Sequence, residues 1–173
     1  STFAKSMASI GAFIAGDKKI IDYIRYNIRS QIFAKSLPMP LVIGNLKRLE
    51  LLRTQPQLKE KLWENARKLQ NGLKERGFDI GKTDSVVTPV YMTGGVEEAT
   101  SMVMDLRENY KIFCSIVVYP VIPKGHIIYR LIPTSVHTDA DIQETLKAFS
   151  ATKKKLDAGE YKVAAIPGMA EVK

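Results

Sequence analysis

Residues 1–16 read Ser1-Thr2-Phe3-Ala4-Lys5-Ser6-Met7-Ala8-Ser9-Ile10-Gly11-Ala12-Phe13-Ile14-Ala15-Gly16. One lysine stands among small and apolar side chains, and two glycines follow it. An ammonium in such surroundings loses hydration, which disfavours its charged form. A neutral amine is a nucleophile and forms a Schiff base with a carbonyl. A solvated lysine on a turn has the same spacing and is the commoner case, because most lysines are exposed. The pattern alone leaves both readings open.

Working outward, the next informative residue is Arg130. The run from His126 to Ile132 predicts a strand, and alternate side chains of a strand share a face. Arg130 therefore sits between Ile128 and Ile132 on an otherwise apolar face. A guanidinium does not shed its charge, so a buried one needs an anion. A carboxylate held by two hydrogen bonds matches it best. An internal Asp or Glu and a substrate carboxylate fit equally well.

The chain has 173 residues, 45% hydrophobic and 25% charged. These values suit a globular chain of one domain, or of a domain plus an appended segment. No run of 18 apolar residues exists, so no membrane span is expected. The early apolar stretch lacks the basic leader and cleavage site of a signal peptide. The single cysteine, Cys114, excludes an internal disulfide and fits a reducing compartment. It lies in an apolar run and reads as a small core residue. The net charge is +8. Its basic residues are dispersed, apart from Lys153-Lys154-Lys155, and no nucleic-acid motif accompanies them. Solvated helix faces are the simpler reading of these charges.

In chain order, Asp17 is a candidate N-cap for a helix carrying Ile20, Ile21, Ile24 and Ile28 at helical spacing. Pro38 and Pro40 predict an extended turn. A long helix should follow, with Leu46, Leu49 and Leu52 on one face and a break at Pro56. Leu58, Leu62, Ala66, Leu69 and Leu73 form a second apolar stripe, with Trp63 packing beside it. Gly77 is its natural stop. Residues 78–133 read as an α/β unit. Ser85 to Met92 is strand-like, with Pro89 indicating an edge or a bulge. Val96 to Asn109 is helical, and Ile112 to Tyr119 is a buried-looking strand. Thr138 with Asp141 has the form of a capping box, opening a last helix with Ile142, Leu146 and Phe149 inward. The remainder reads as a loose tail. His126 and His137 lack ligand-spaced neighbours, so no metal site is expected, and no CxxC, HExxH, P-loop or GxSxG motif occurs.

Thr2-Phe3-Ala4-Lys5 with Gly11-Ala12-Phe13 resembles the lysine motif of the α-oxoamine synthases. Tyr119-Pro120-Val121-Ile122-Pro123-Lys124-Gly125, followed by Arg130 and His137-Thr138, resembles the C-terminal signature of the same family. The resemblance covers roughly residues 1–156. It implies an α/β fold, the C-terminal portion of a fold-type-I transferase dependent on pyridoxal 5′-phosphate (PLP). Residues 1–40 would be the cofactor-lysine segment of the large domain, 41–77 a linking helical region, 78–156 a small α/β domain with an antiparallel sheet, and 157–173 a tail. The motif normally lies past the middle of such chains, which implies a longer parent enzyme.

The resemblance also implies roles. Lys5 would carry PLP as a Schiff base. Thr2 would contact the cofactor phosphate. Phe33-Ala34 would reach the phosphate of the partner subunit in a homodimer; relatives often have Ser or Thr where Ala34 offers only its backbone N–H. Arg130 would hold the amino-acid carboxylate, and Tyr119 and Val121 would border the substrate. Lys5, freed by the incoming amino acid, would take the α-proton as general base. The carbon would then attack an acyl-CoA, with loss of CoA and CO2. Arg29 to Pro38 and Arg130 to Thr134 look most like bacterial serine palmitoyltransferases, which implies L-serine and a long-chain acyl-CoA as substrates, sphingolipid synthesis and a cytoplasmic enzyme with room for peripheral membrane contact. Glycine C-acetyltransferase and 8-amino-7-oxononanoate synthase are the alternatives within the family. The family's glycine-containing phosphate loop, ring-stacking histidine and pyridine-pairing aspartate have no matching segment here. These 173 residues alone are therefore expected to be inactive and to bind PLP poorly, and an isolated dimerisation module is the alternative of a different class.

Overall fold

The computed structural model describes residues 1–162. The expected tail over 157–173 lies, from residue 163 on, outside the described residues. The chain forms two compact units, Ser1–Pro56 and Gln57–Lys173.

In the first unit a short loop, closed by a bridge between Thr2 and Ala12, leads into α1 (Lys18–Asn27), α2 (Arg29–Ile32) and α3 (Met39–Thr54). Asp17 occupies the N-cap position of α1, yet its side chain caps nothing. The expected extended turn at the prolines is shorter than the spacing suggested. Pro38 is extended at the N-cap of α3, whereas Pro40 lies inside its first turn, where the missing N–H has no helical partner to lose. The apolar stripe of α3 is not covered: Leu46, Leu49 and Leu52 are exposed. A helix stripe is buried only when a second layer lies against it, and the described residues supply none there.

The second unit continues from α4 (Pro56–Glu75) through β1 (Thr88–Thr93), α5 (Val96–Tyr110), β2 (Ser115–Val117), β3 (His126–Leu131) and α6 (Asp139–Asp157). The sheet is antiparallel, in the order β1-β3-β2. Pro89 lies on edge strand β1, as its missing N–H requires. Strand β3 alternates: Ile127, Tyr129 and Leu131 are buried, while His126 and Arg130 are exposed. The inward side chains pack with Leu69, Leu73, Phe78, Met102, Leu106, Leu146 and Phe149 into one core. Gly72 permits close approach of α4 and α6, since a Cβ there would lie 2.4 Å from Leu146 Cδ1. Only part of the expected second strand forms. Phe113 precedes β2 and is 85% exposed, because α5 ends at a left-handed Lys111 and the ladder starts only at Ser115.

Polar contacts fix both ends of α6. Thr138 and Asp141 make the capping box in both directions. Buried Asn65 donates to the carbonyls of Thr134 (2.9 Å) and His137 (2.8 Å), which ties the turn before α6 to α4. At the other end Asp105, on α5, accepts from Lys155 (2.7 Å), from Asn109 (2.6 Å) and from Tyr161. Burial pushes the Asp105 carboxyl up, but these three hydrogen bonds outweigh it and hold the group below its ordinary value. A carboxylate depressed in the folded state adds stability above its unfolded pKa of roughly 4, and that stability is lost as pH falls through the folded value. Thermal melts should therefore show an acid-induced loss below about pH 4. Asp105→Asn should cost roughly 1–3 kcal/mol at neutral pH and shrink the acid-induced loss. An unchanged pH profile would remove this clasp from the stability of the unit.

Candidate active site

Lys5 sits on a tight loop whose backbone is hydrogen-bonded to itself. Phe3 N–H donates to Gly11 O, Ser9 N–H to Phe3 O, and Ala8 N–H to Lys5 O, each at 2.9 Å. Ala8 adopts φ 43°, in the left-handed region, a conformation that costs a non-glycine residue of order 1–3 kcal/mol and tends to occur where a side chain must be presented. Gly11 has φ 115°, and a Cβ there would lie 2.9 Å from Leu37 Cδ1. The loop therefore requires glycine at this position.

The neighbours of Lys5 do not enclose it. The side chain is exposed, as in the solvated-turn reading of the two left open by the pattern; Ala4, Ser6 and Ala8 are too small to cover a lysine stem. No carboxylate among the described residues pairs with its amine. Thr2 and Ser6 line an adjoining hollow of about 480 Å³ together with Phe3, Phe13, Leu37 and Val42. Asn45 also lines it; this residue is 8% exposed, and neither atom of its amide group has a hydrogen-bond partner. Phe33, the C-cap of α2, is exposed under the Arg29 guanidinium, 5.7 Å from its ring. The N–H of Ala34 makes no backbone hydrogen bond among the described residues.

In the second unit Arg130 is exposed, not buried as the alternation around it suggested. Its face of β3 is the outer one, and Ile132 lies beyond the strand. The internal-carboxylate alternative fails, because no Asp or Glu among the described residues lies within 4.0 Å of the guanidinium. Instead Arg130 Nε–H donates to Ser115 Oγ at 3.0 Å. Ser115 is directly opposite on β2, a pairing invisible without the strand register. Tyr119 and Val121 are exposed in the loop between β2 and β3. Lys124 Nζ lies 5.1 Å from the Tyr119 ring centre. The Tyr119–Pro120 peptide is cis.

The other candidates resolve as structural. His137 Nδ1 accepts from Thr134 N–H at 3.0 Å, His126 is exposed at a strand end, and Trp63 packs beside Arg67. Among the described residues no three His, Cys, Asp or Glu side chains could hold a metal. Cys114 is buried, and burial pushes its thiol up to about 11, so it is a packing residue.

The donor set suits an aldehyde that also bears a phosphate. A free primary amine stands at Lys5, and hydroxyls stand at Thr2 and Ser6 on the same loop. The terminal nitrogens of Arg130, which pair with no carboxylate among the described residues, suit a carboxylate.

Residues 1–149 match the model of the family described as aminotransferase class I and II. The chain is 62% identical over 162 residues to a cysteate-C-fatty acyltransferase of Capnocytophaga ochracea, covering 94% of this chain and 39% of that protein. It is 35% identical over 146 residues to a serine palmitoyltransferase of Sphingobacterium spiritivorum, covering 84% and 36%. A solved serine palmitoyltransferase structure with PLP superposes with a TM-score of 0.81 at 30% identity, covering 90% of this chain and 39% of that one. The chain thus spans about two fifths of the length of these relatives.

Proposed function

We propose, on the premise that this chain belongs to the aminotransferase class I and II family, that the whole protein is a PLP-dependent acyltransferase of the α-oxoamine synthase type. It would join a fatty acyl group from acyl-CoA to the α-carbon of an amino acid with loss of CO2. The observation that carries the choice of amino acid is the 62% identity to a protein named for cysteate, against 35% for one named for serine. Cysteate is therefore the amino acid of the first reading. L-Serine is the second, favoured by the likeness to the PLP-containing serine palmitoyltransferase. Sphingolipid synthesis would follow only from that second reading.

Bound PLP supplies the electron sink for charge left at the α-carbon. Lys5 would hold the cofactor covalently, and its amine would serve as the base for the α-proton. Thr2 donates its hydroxyl to the phosphate. Phe33 and the N–H of Ala34 meet the phosphate of the other subunit in a homodimer. Arg130 holds the amino-acid carboxylate by its guanidinium fork, with Tyr119 and Val121 bordering the substrate. The chain's net charge of +8 is compatible with a polyanionic CoA carrier. No described helix is long and apolar enough to cross a membrane. A cytoplasmic location is supported by the single cysteine, which fits a reducing compartment.

The test is an assay of the whole protein with cysteate, serine, glycine and alanine, each against acetyl-CoA and palmitoyl-CoA, with products identified by mass. The expected result is a kcat/KM for cysteate with palmitoyl-CoA roughly 10-fold or more above the other amino acids, the scale at which a built polar pocket discriminates. A preference for serine would move the assignment to the second reading. Preference for glycine with acetyl-CoA would overturn both.

A further inference from the structure

We infer that Ser115 is a positioning residue that aims Arg130 at its ligand. The inference deepens the proposed role of Arg130 and rests on it. Arg130 stands on the central strand, between Pro89 on β1 and Ser115 on β2. Directly opposed residues of antiparallel strands share a face, so all three side chains lie on the outer face of the sheet. Proline offers Arg130 no polar side-chain atom on one side. On the other, Ser115 Oγ accepts from Nε at 3.0 Å.

That contact has a geometric consequence. A guanidinium presents five N–H groups in a rigid planar fork. The N–H of Nε is taken by Ser115, so the edge shared by Nε and one terminal nitrogen is not free for a carboxylate. The end-on edge, formed by the two terminal nitrogens, remains available for a bidentate carboxylate. Ser115 thus selects one of the two ways in which this arginine could hold an acid. It also restrains a long side chain whose freedom would otherwise be lost on binding.

The experiment compares Ser115→Ala, Ser115→Val, Ser115→Thr, Arg130→Ala and the Ser115→Ala/Arg130→Ala pair in the whole protein, with cysteate and with serine. Ser115→Ala and Ser115→Val should raise the amino-acid KM roughly 3- to 30-fold, with kcat and the KM for palmitoyl-CoA within about twofold. Ser115→Thr keeps the hydroxyl and should restore most of the loss. In the absence of Arg130, removing Ser115 should change nothing further. A rise in KM for Arg130→Ala with no change for Ser115→Ala would overturn the positioning role alone. An unchanged KM for Arg130→Ala would overturn the Arg130 reading and this inference with it. A Ser115→Ala loss that persists without Arg130, or that threonine does not restore, would make Ser115 merely structural.

Discussion

Lys5→Ala in the whole protein is expected to lower turnover by roughly 10²–10⁴-fold, the range associated with one positioned acid–base group. Covalent retention of PLP should be lost with it. The prediction follows from how the loop is built. Gly11 accepts a φ of 115° that a side chain would resist, and Ala8 carries a strained φ of 43° three residues after Lys5. The bridge from Thr2 to Ala12 closes the loop. Such a loop presents one amine with no carboxylate among the described residues paired to it. Lys5→Arg should not restore function, because a guanidinium stays protonated and is no nucleophile. Turnover within about tenfold of the unaltered protein would exclude Lys5 as the reacting amine.

Phe149→Ala should destabilise the second unit by about 3–5 kcal/mol, the usual cost of removing a fully buried aromatic ring. Phe149 is wholly buried at the centre of the core. Its ring meets Phe78 edge-on at 6.2 Å and Tyr129 edge-on at 5.9 Å, so one truncation removes both aromatic contacts. Tyr129 neighbours Arg130 on β3, and the substitution therefore loosens the strand that carries the guanidinium. Denaturant melts measure the loss directly. Cys114 gives a second readout, since its buried thiol reacts only when the core opens. Phe149→Leu fills part of the space and should cost less. A change below about 1 kcal/mol would show that the core closes around the gap.

The elements of the second unit were legible because their signals are local. The Thr138–Asp141 box and the stripe of Ile142, Leu146 and Phe149 depend on neighbours within a few residues. The lysine loop was legible only through its motif; composition there equally described a solvated turn. Three features were not legible. Ser115 became significant through strand register, which a single strand does not encode. The bonds of Asn65 join residues about seventy positions apart, and no periodicity reports that distance. The exposure of Leu46, Leu49 and Leu52 contradicts a helix pattern that reads as core, because a pattern names the face to be covered and not what covers it. The choice of amino acid was legible only to the level of the family. The strand and turn motifs that pointed to serine are shared across it, and the chain is 62% identical to a protein named for cysteate and 35% identical to one named for serine.

The most direct measurement is peptide mapping of the whole protein after incubation with PLP and reduction with borohydride, which fixes the cofactor to its lysine. The expected result is the reduced cofactor's mass on the peptide that contains Lys5 and on no other. Its appearance on a different lysine, with Lys5 unmodified, would contradict the assignment on which the proposed chemistry is built.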